Sequence, residues 1–291
     1  MVKNILLSLL FISSLFGQVN RILTIAPTAE EASLGNQSLF YRNPAKNHFN
    51  LGDTTTNVSF TRVNWLSNIT DDMGYNYVGV VWKNFDFSLL YFDYGEQNNA
   101  DESGVILNKF NPNSIVGRVG WGTPLKYKGN VMDSVSIGFA GKVVFHDLYT
   151  ETTNGMLFDV GVHMEKLWNK LDVDLGIQNF GLMTKINGYE IENPTSLNFG
   201  VAIPLRDWTF YNQWNFYNGY HTHGQGISYK YNDMIRGRVG YYNDVDYQVN
   251  YPSFGMSIEY DNYDIGVGYI MGDETFPLSN TLQLTINVNI K

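Results

Sequence analysis

The chain has 291 residues, 44% of them hydrophobic and 15% aromatic, but only 16% charged, with a formal net charge of −9. Ordinary soluble domains carry roughly 25% charged residues. The absence of cysteine excludes disulfide scaffolds, thiolate metal sites and cysteine nucleophiles. The acidic balance argues against nucleic acid as a partner, because phosphate binding needs a concentrated positive field.

In chain order, the first element is a targeting signal. Lys3 precedes an apolar stretch from Ile5 to Phe16, too short to span a bilayer as a helix but suited to a signal-peptide core, with small residues before a cut at Gln18. Residues 1–17 are therefore expected to be a signal peptide. No apolar run of 18 residues follows, which excludes helical membrane spans and leaves a β-barrel open.

Residues 18–54 have a different character. Thr28-Ala29-Glu30-Glu31-Ala32-Ser33-Leu34-Gly35 reads as a short helical turn, followed by Leu39-Phe40-Tyr41-Arg42-Asn43-Pro44-Ala45. Leu34, Leu39, Phe40, Tyr41 and Phe49 are too apolar for a disordered tail, so the segment is expected to fold as a plug in the barrel mouth. Pro44 fixes its own φ and drives Asn43 out of the helical region, and the Asn43 amide is placed to close a turn.

From residue 55 to residue 291 the period is two. Val135, Ile137, Phe139, Val143 and Phe145 share one face; Ser134, Ser136, Gly138, Ala140, Lys142 and His146 share the other. Such segments are expected near 55–65, 72–82, 85–96, 113–121, 132–146, 154–164, 170–180, 195–203, 207–217, 224–231, 234–242, 252–260, 263–271 and 279–290. Most have the length a tilted transmembrane strand needs. Longer and shorter connections alternate along the chain, as in an up-and-down barrel whose two ends face different compartments. The expected fold is an all-β, antiparallel transmembrane barrel of about fourteen strands with a short N-terminal plug, in the outer membrane of a Gram-negative cell, its wall in contact with lipid. Aromatic residues near strand ends, among them Tyr75, Tyr77, Trp82, Trp121, Trp208, Tyr260 and Tyr263, suit the two interfacial girdles. Glycine pairs such as Gly117 and Gly120, Gly237 and Gly240, and Gly266 and Gly268 are candidates for bulges.

Ala32-Ser33-Leu34-Gly35 followed by Asn43-Pro44-Ala45 resembles the N-terminal signature of the PorV/PorQ family, FadL-like outer-membrane barrels of fourteen strands associated with type IX secretion. Leu34, Gly35, Asn43, Pro44 and Ala45 match; Asn36, Gln37 and Ser38 depart from the small residues usual there. The chain also ends in Ile290-Lys291 instead of a terminal aromatic. The resemblance implies a part in protein secretion or cargo attachment, with secretion-system components or secreted cargo as partners. The alternative is passive transport of a small hydrophobic ligand across the membrane.

No enzyme signature is present and no cofactor is implied. His221 and His223, two apart, read either as a metal-holding pair in an outer loop or as a solvated loop tip. His146 and His163 fall on polar strand faces with no serine that periodicity pairs to them. Lys142, Arg236, Arg238 and Glu259 are the candidate lumen ligand contacts; against that reading, inward arginines and lysines pair with inward carboxylates to rigidify a filled lumen. Sequons at Asn57 and Asn68 are chance matches in a chain with 33 Asn.

Overall fold

The computed structural model describes residues 20–47, 56–65, 72–100, 105–125, 131–148, 151–185, 191–246, 248–272 and 280–290. The expected signal peptide, His48, Phe49 and the Asn68 sequon lie outside them.

Fourteen strands close into one antiparallel barrel. They are β1 (Thr56–Asn64), β2 (Gly74–Trp82), β3 (Phe85–Asp93), β6 (Asn113–Leu125), β7 (Ser134–Asp147), β8 (Thr152–Leu167), β9 (Leu171–Met183), β10 (Ser196–Leu205), β11 (Trp208–Tyr217), β12 (His221–Lys230), β13 (Ile235–Asp244), β14 (Val249–Tyr260), β15 (Tyr263–Ile270) and β16 (Thr281–Ile290). Each segment expected from the alternation corresponds to one barrel strand. Closure is made by β1 against β16, in register from Thr56↔Ile290 to Val63↔Gln283. A separate hairpin, β4 (Gln97–Ala100) with β5 (Ile106–Phe110), rises from the long connection after β3.

Alternation sets the two faces. Ile137, Phe139, Val143 and Phe145 point out and are exposed, while Ser136, Ala140, Lys142 and His146 point in and are buried. A ten-residue strand rises about 3.4 Å per residue; tilted by about 40°, it spans about 25 Å, the height of the apolar band. Trp82, Trp121, Trp208, Tyr260 and Tyr263 are exposed near the short-turn ends, as a girdle requires. Tyr75 and Tyr77 depart from the girdle expectation, because their places in β2 have inward parity. Tyr75 is buried in the lumen and stacks on Phe92 at 6.0 Å.

The paired glycines are not bulges: the registers of β6, β13 and β15 run on through them. The barrel register shifts instead between β8 and β9: Met164↔Val173 and Leu167↔Leu171 give β8 one extra residue, while Phe158↔Phe180 and Val160↔Ile177 give β9 one extra residue. Asn179 takes up the excess with φ +57°, a left-handed conformation that Asn tolerates.

Within the cylinder, residues 20–47 form a 3-10 turn (Asn20–Thr24), two short helices, α1 (Ala29–Ser33) and α2 (Ser38–Arg42), and a second 3-10 turn (Pro44–Lys46). Thr28 caps α1: its hydroxyl accepts from the Glu31 N–H at 3.4 Å and donates to Glu31 Oε1 at 3.1 Å.

Replacing lipid-facing Phe139 with Arg is expected to cost about 2–4 kcal/mol of insertion free energy if the site lies near the bilayer midplane. Denaturant-titrated folding into vesicles measures it, and a cost near zero would reverse the assigned faces.

Candidate functional site in the barrel lumen

The inner segment runs around the inside wall against chain order, descending as it goes. Ala29 N–H donates to Thr285 Oγ1 on β16 at 2.9 Å, and Gly35 N–H donates to Ser253 Oγ on β14 at 3.2 Å. Leu39 N–H then donates to Gln213 Oε1 on β11 at 2.9 Å. The Asn43 amide donates to Val162 O at 3.0 Å and to Asp174 Oδ1 at 2.7 Å, on β8 and β9. Ser136 Oγ on β7 donates to Ala45 O at 2.7 Å, and the Asn47 amide reaches Asp86 on β3.

Close approach of two backbones makes this path feasible. A β-carbon on Gly138 would collide with Pro44 and the Ala45 nitrogen, and one on Gly240 with Leu34 and the Gly35 nitrogen. Gly35 itself has φ +78° and lies against the Tyr241 carbonyl, so both its conformation and its space demand glycine. Leu34, Leu39 and Ala45 are fully enclosed. The five motif residues Leu34, Gly35, Asn43, Pro44 and Ala45 thus all contact the inner wall. Asn43 caps the second 3-10 turn by accepting from Ala45 N–H at 3.0 Å, with its own backbone extended at φ −66°, ψ 116°.

Charged groups form a belt in the lower lumen. Arg118 pairs with Asp86 and approaches Asp159 at 3.6 Å; it also donates to Arg42 O at 3.0 Å. Lys142 Nζ lies 2.8 Å from Asp159 and donates to Asn179 Oδ1 at 2.6 Å. His163 Nδ1 is 3.1 Å from Asp174, and Lys46 is 3.8 Å from the same carboxylate. Arg238 donates to Glu30 Oε1 at 2.8 Å. Of the four candidate ligand contacts, Lys142 and Arg238 are buried in these pairs, and Arg236 and Glu259 are exposed at the short-turn mouth. They do not converge on one site. Sequence reasoning missed Glu30 and Lys46 as partners of the wall, and Glu31 with Arg42 as an ion pair within the segment. The available signal was the set of inward charges, which need compensation wherever water is excluded.

Above the belt, beside Ser114 and His146, the inner wall of β1–β3, β7 and β8 carries an apolar cluster. Ile22 and Leu23 are buried among Val63, Tyr75, Leu90, Phe92, Tyr94, Val144 and Leu157. Tyr75 Oη donates to Ala26 O at 2.7 Å, tying the ring to the segment. The Phe92 and Tyr94 rings lie 4.7 Å apart, and Trp65 meets Phe92 edge-on at 6.2 Å. On the opposite wall Tyr242 stacks on Tyr251 at 5.0 Å and Tyr217 on Tyr220 at 4.4 Å.

Two histidine expectations change. His221 and His223 belong to β12 and not to a loop; His221 lies 3.2 Å from Asp246, and His223 stacks on Trp214 at 4.9 Å. Among the described residues no group of three ligating side chains could hold a metal ion. His146 does meet a serine: cross-strand Ser114 Oγ is 2.6 Å from its Nδ1, a pairing set by the β6–β7 register that the sequence did not reveal. Ser114 is buried and also donates to Tyr94 Oη at 3.1 Å, and His146 Nε2 has no partner.

Similar architectures occur among solved barrels. The Pseudomonas putida toluene transporter TodX superposes with a TM-score of 0.55 at 13% identity, covering 91% of this chain and 95% of that one. The Ralstonia pickettii toluene transporter TbuX gives 0.55 at 10%, covering 92% and 97%. The CymD monoaromatic hydrocarbon channel gives 0.57 at 10%, also covering 92% and 97%. The chain shares the fold of these barrels. No protein-family model matches it, and no curated protein does so either; at these identities the likeness is one of fold.

Asn43→Ala removes the hydrogen bonds to Val162 and Asp174, at about 1–3 kcal/mol for the buried groups left unpaired. Hydrogen exchange over residues 29–47 is expected to accelerate while the barrel's melting stays unchanged; joint destabilisation of both would show that the segment is integral to the wall. The inner segment also carries a pH signature. Burial pushes the Glu31 carboxyl up to about 7, against the pull of Arg42 at 3.0 Å. A carboxyl raised above its unfolded value near 4.5 contributes stability at low pH that is lost as pH rises through about 7. Relative to the intrinsic base-catalysed rate, the segment should be less protected at pH 8 than at pH 5.5, and Glu31→Gln should flatten that difference.

Proposed function

We propose that the barrel conducts small hydrophobic molecules across the outer membrane, with the outer lumen as the binding compartment and residues 20–47 as a plug beneath it. The observation that carries this reading is the seating of Ile22 and Leu23 in an otherwise aromatic and aliphatic chamber. Two aliphatic side chains of the protein's own N-terminal segment stand where an apolar solute of similar size fits. Burying one such side chain is worth about 1.5–3 kcal/mol, so a hydrocarbon that displaces it exchanges one apolar contact for another at little net cost. The charged belt lower down is closed by ion pairs and by the inner segment. Passage therefore requires the segment to shift, which suits a part held by short helices and single hydrogen bonds. The likeness of fold to toluene transporters and a monoaromatic hydrocarbon channel supports monoaromatic hydrocarbons as the first solutes to test.

A second reading, participation in type IX secretion, rests on the resemblance to PorV/PorQ proteins. The hairpin β4–β5 favours it in one respect: Val105, Ile106 and Leu107 are exposed at its tip, a surface available to a partner outside the cell. The motif residues point the other way, since all five are spent on contacts inside the barrel. A deletion strain with unaltered cargo display would end that reading.

Asymmetric vesicles with a lipopolysaccharide outer leaflet, loaded with the protein, are expected to take up a labelled monoaromatic hydrocarbon faster than empty vesicles. Phe92→Asp should abolish the gain by making the chamber polar. Uptake equal to that of empty vesicles would refute the transport proposal.

A further inference from the structure

At mid-height on β11 and β12 the lipid-facing wall is polar. Asn212 on β11 and Gln225 on β12 sit directly opposite each other in the register, each at the fifth position of a ten-residue strand. Both have outward parity, alternating with the buried inward residues Gln213 and Gly224. His223, two residues from Gln225 on the same face, donates from Nε2 to Asn212 Oδ1 at 2.7 Å. Among the described residues the Gln225 side-chain amide has no hydrogen-bond partner. Around these three side chains the outer face is Val201, Ile203, Phe210, Ile227 and Val239, with Tyr241 beside Gln225. Together they line a groove of about 420 Å³ in the outer wall, with Asn212 and Gln225 among its walls.

Mid-strand positions lie in the middle of the apolar band, where no water satisfies an amide. A carboxamide there is tolerated best when another protein surface supplies its donor and acceptor. Lipid tails supply neither. Asn and Gln each carry both a donor and an acceptor, so a copy of the same patch, turned about a two-fold axis, is a complete partner: N–H groups of one protomer meet C=O groups of the other. This self-complementarity is the requirement of an isologous interface.

We propose that the outer face of β10–β13 is the contact surface of a homodimer in the membrane, with Asn212 and Gln225 at its centre, hydrogen-bonded across a two-fold axis, and Phe210, Ile227, Val239 and Tyr241 packed around them. His223 holds the Asn212 carbonyl and stacks on Trp214, which orients the Asn212 amide N–H groups toward the partner. The surface is independent of the lumen chemistry, so it stands or falls apart from the transport reading.

The chain has no cysteine, so Gln225→Cys introduces a single thiol. In native outer membrane, a short bis-maleimide is expected to convert this variant to a species of twice the monomer mass. Leu89→Cys, on lipid-facing β3 seven strands away, is expected to remain monomeric. A second measurement avoids the introduced thiol. Wild-type protein in detergent should sediment as a dimer, and Asn212→Leu with Gln225→Leu should raise the dissociation constant about tenfold or more. The double variant should still fold, shown by heat-modifiable migration, because leucine suits a lipid-facing position. Equal cross-linking at Gln225→Cys and Leu89→Cys overturns the proposal. So does a cross-linked product whose added mass is not that of this chain, or an unchanged dissociation constant in the leucine variant.

Discussion

The pairing of β1 with β16 governs everything else in this molecule. Inside a bilayer an unpaired N–H or C=O costs several kcal/mol, and an open sheet leaves a whole row of them. With Thr56 facing Ile290 and Val63 facing Gln283 the ladder has no edge, and the chain can present an outer face of Phe, Val, Leu and Ile to lipid. Closure of fourteen strands also creates an interior too wide for wall side chains alone to fill. That interior then needs both polar satisfaction and bulk.

Residues 20–47 supply both. Their backbone N–H groups at Ala29, Gly35 and Leu39 bond to Thr285, Ser253 and Gln213, so wall hydroxyls and amides that face no water acquire partners. Their charges meet opposite charges on the wall, Glu30 with Arg238 and Lys46 with Asp174. Wall glycines beneath the segment let backbone touch backbone, which converts a polar strand face into a packing surface. The arrangement is held by many modest interactions, each worth about 0.5–1.5 kcal/mol when neutral, and not by one dominant contact. A part held in this manner opens at lower cost than a wall strand with a hydrogen-bond ladder on both sides.

The division of the lumen follows from the same geometry. Toward the short-turn side, ion pairs such as Lys142 with Asp159 compensate one another and leave no charge to attract a solute. Toward the long-loop side, Tyr75, Phe92, Tyr94, Leu90 and Leu157 have inward parity and turn the chamber apolar. The outer wall carries exceptions too, and at mid-height Asn212, His223 and Gln225 interrupt its apolar surface.

Alternation by two along the sequence determined the strands, their number and their faces, because a one-residue shift would put every apolar side chain in the lumen. It determined that Lys142, Asp159 and Arg238 point inward, and Pro44 made a turn at Asn43 unavoidable. Tertiary structure alone decided which residues meet. Ser114 with His146 and Asn212 with His223 are neighbours only because adjacent strands settled in one register, and no local pattern encodes a register. The path of the inner segment was equally hidden, since its contacts join residues far apart in the chain, such as Asn43 with Asp174. The glycines on inward faces looked like bulges for the same reason: a glycine in a strand reports that space is needed, and only the closed cylinder shows what occupies it.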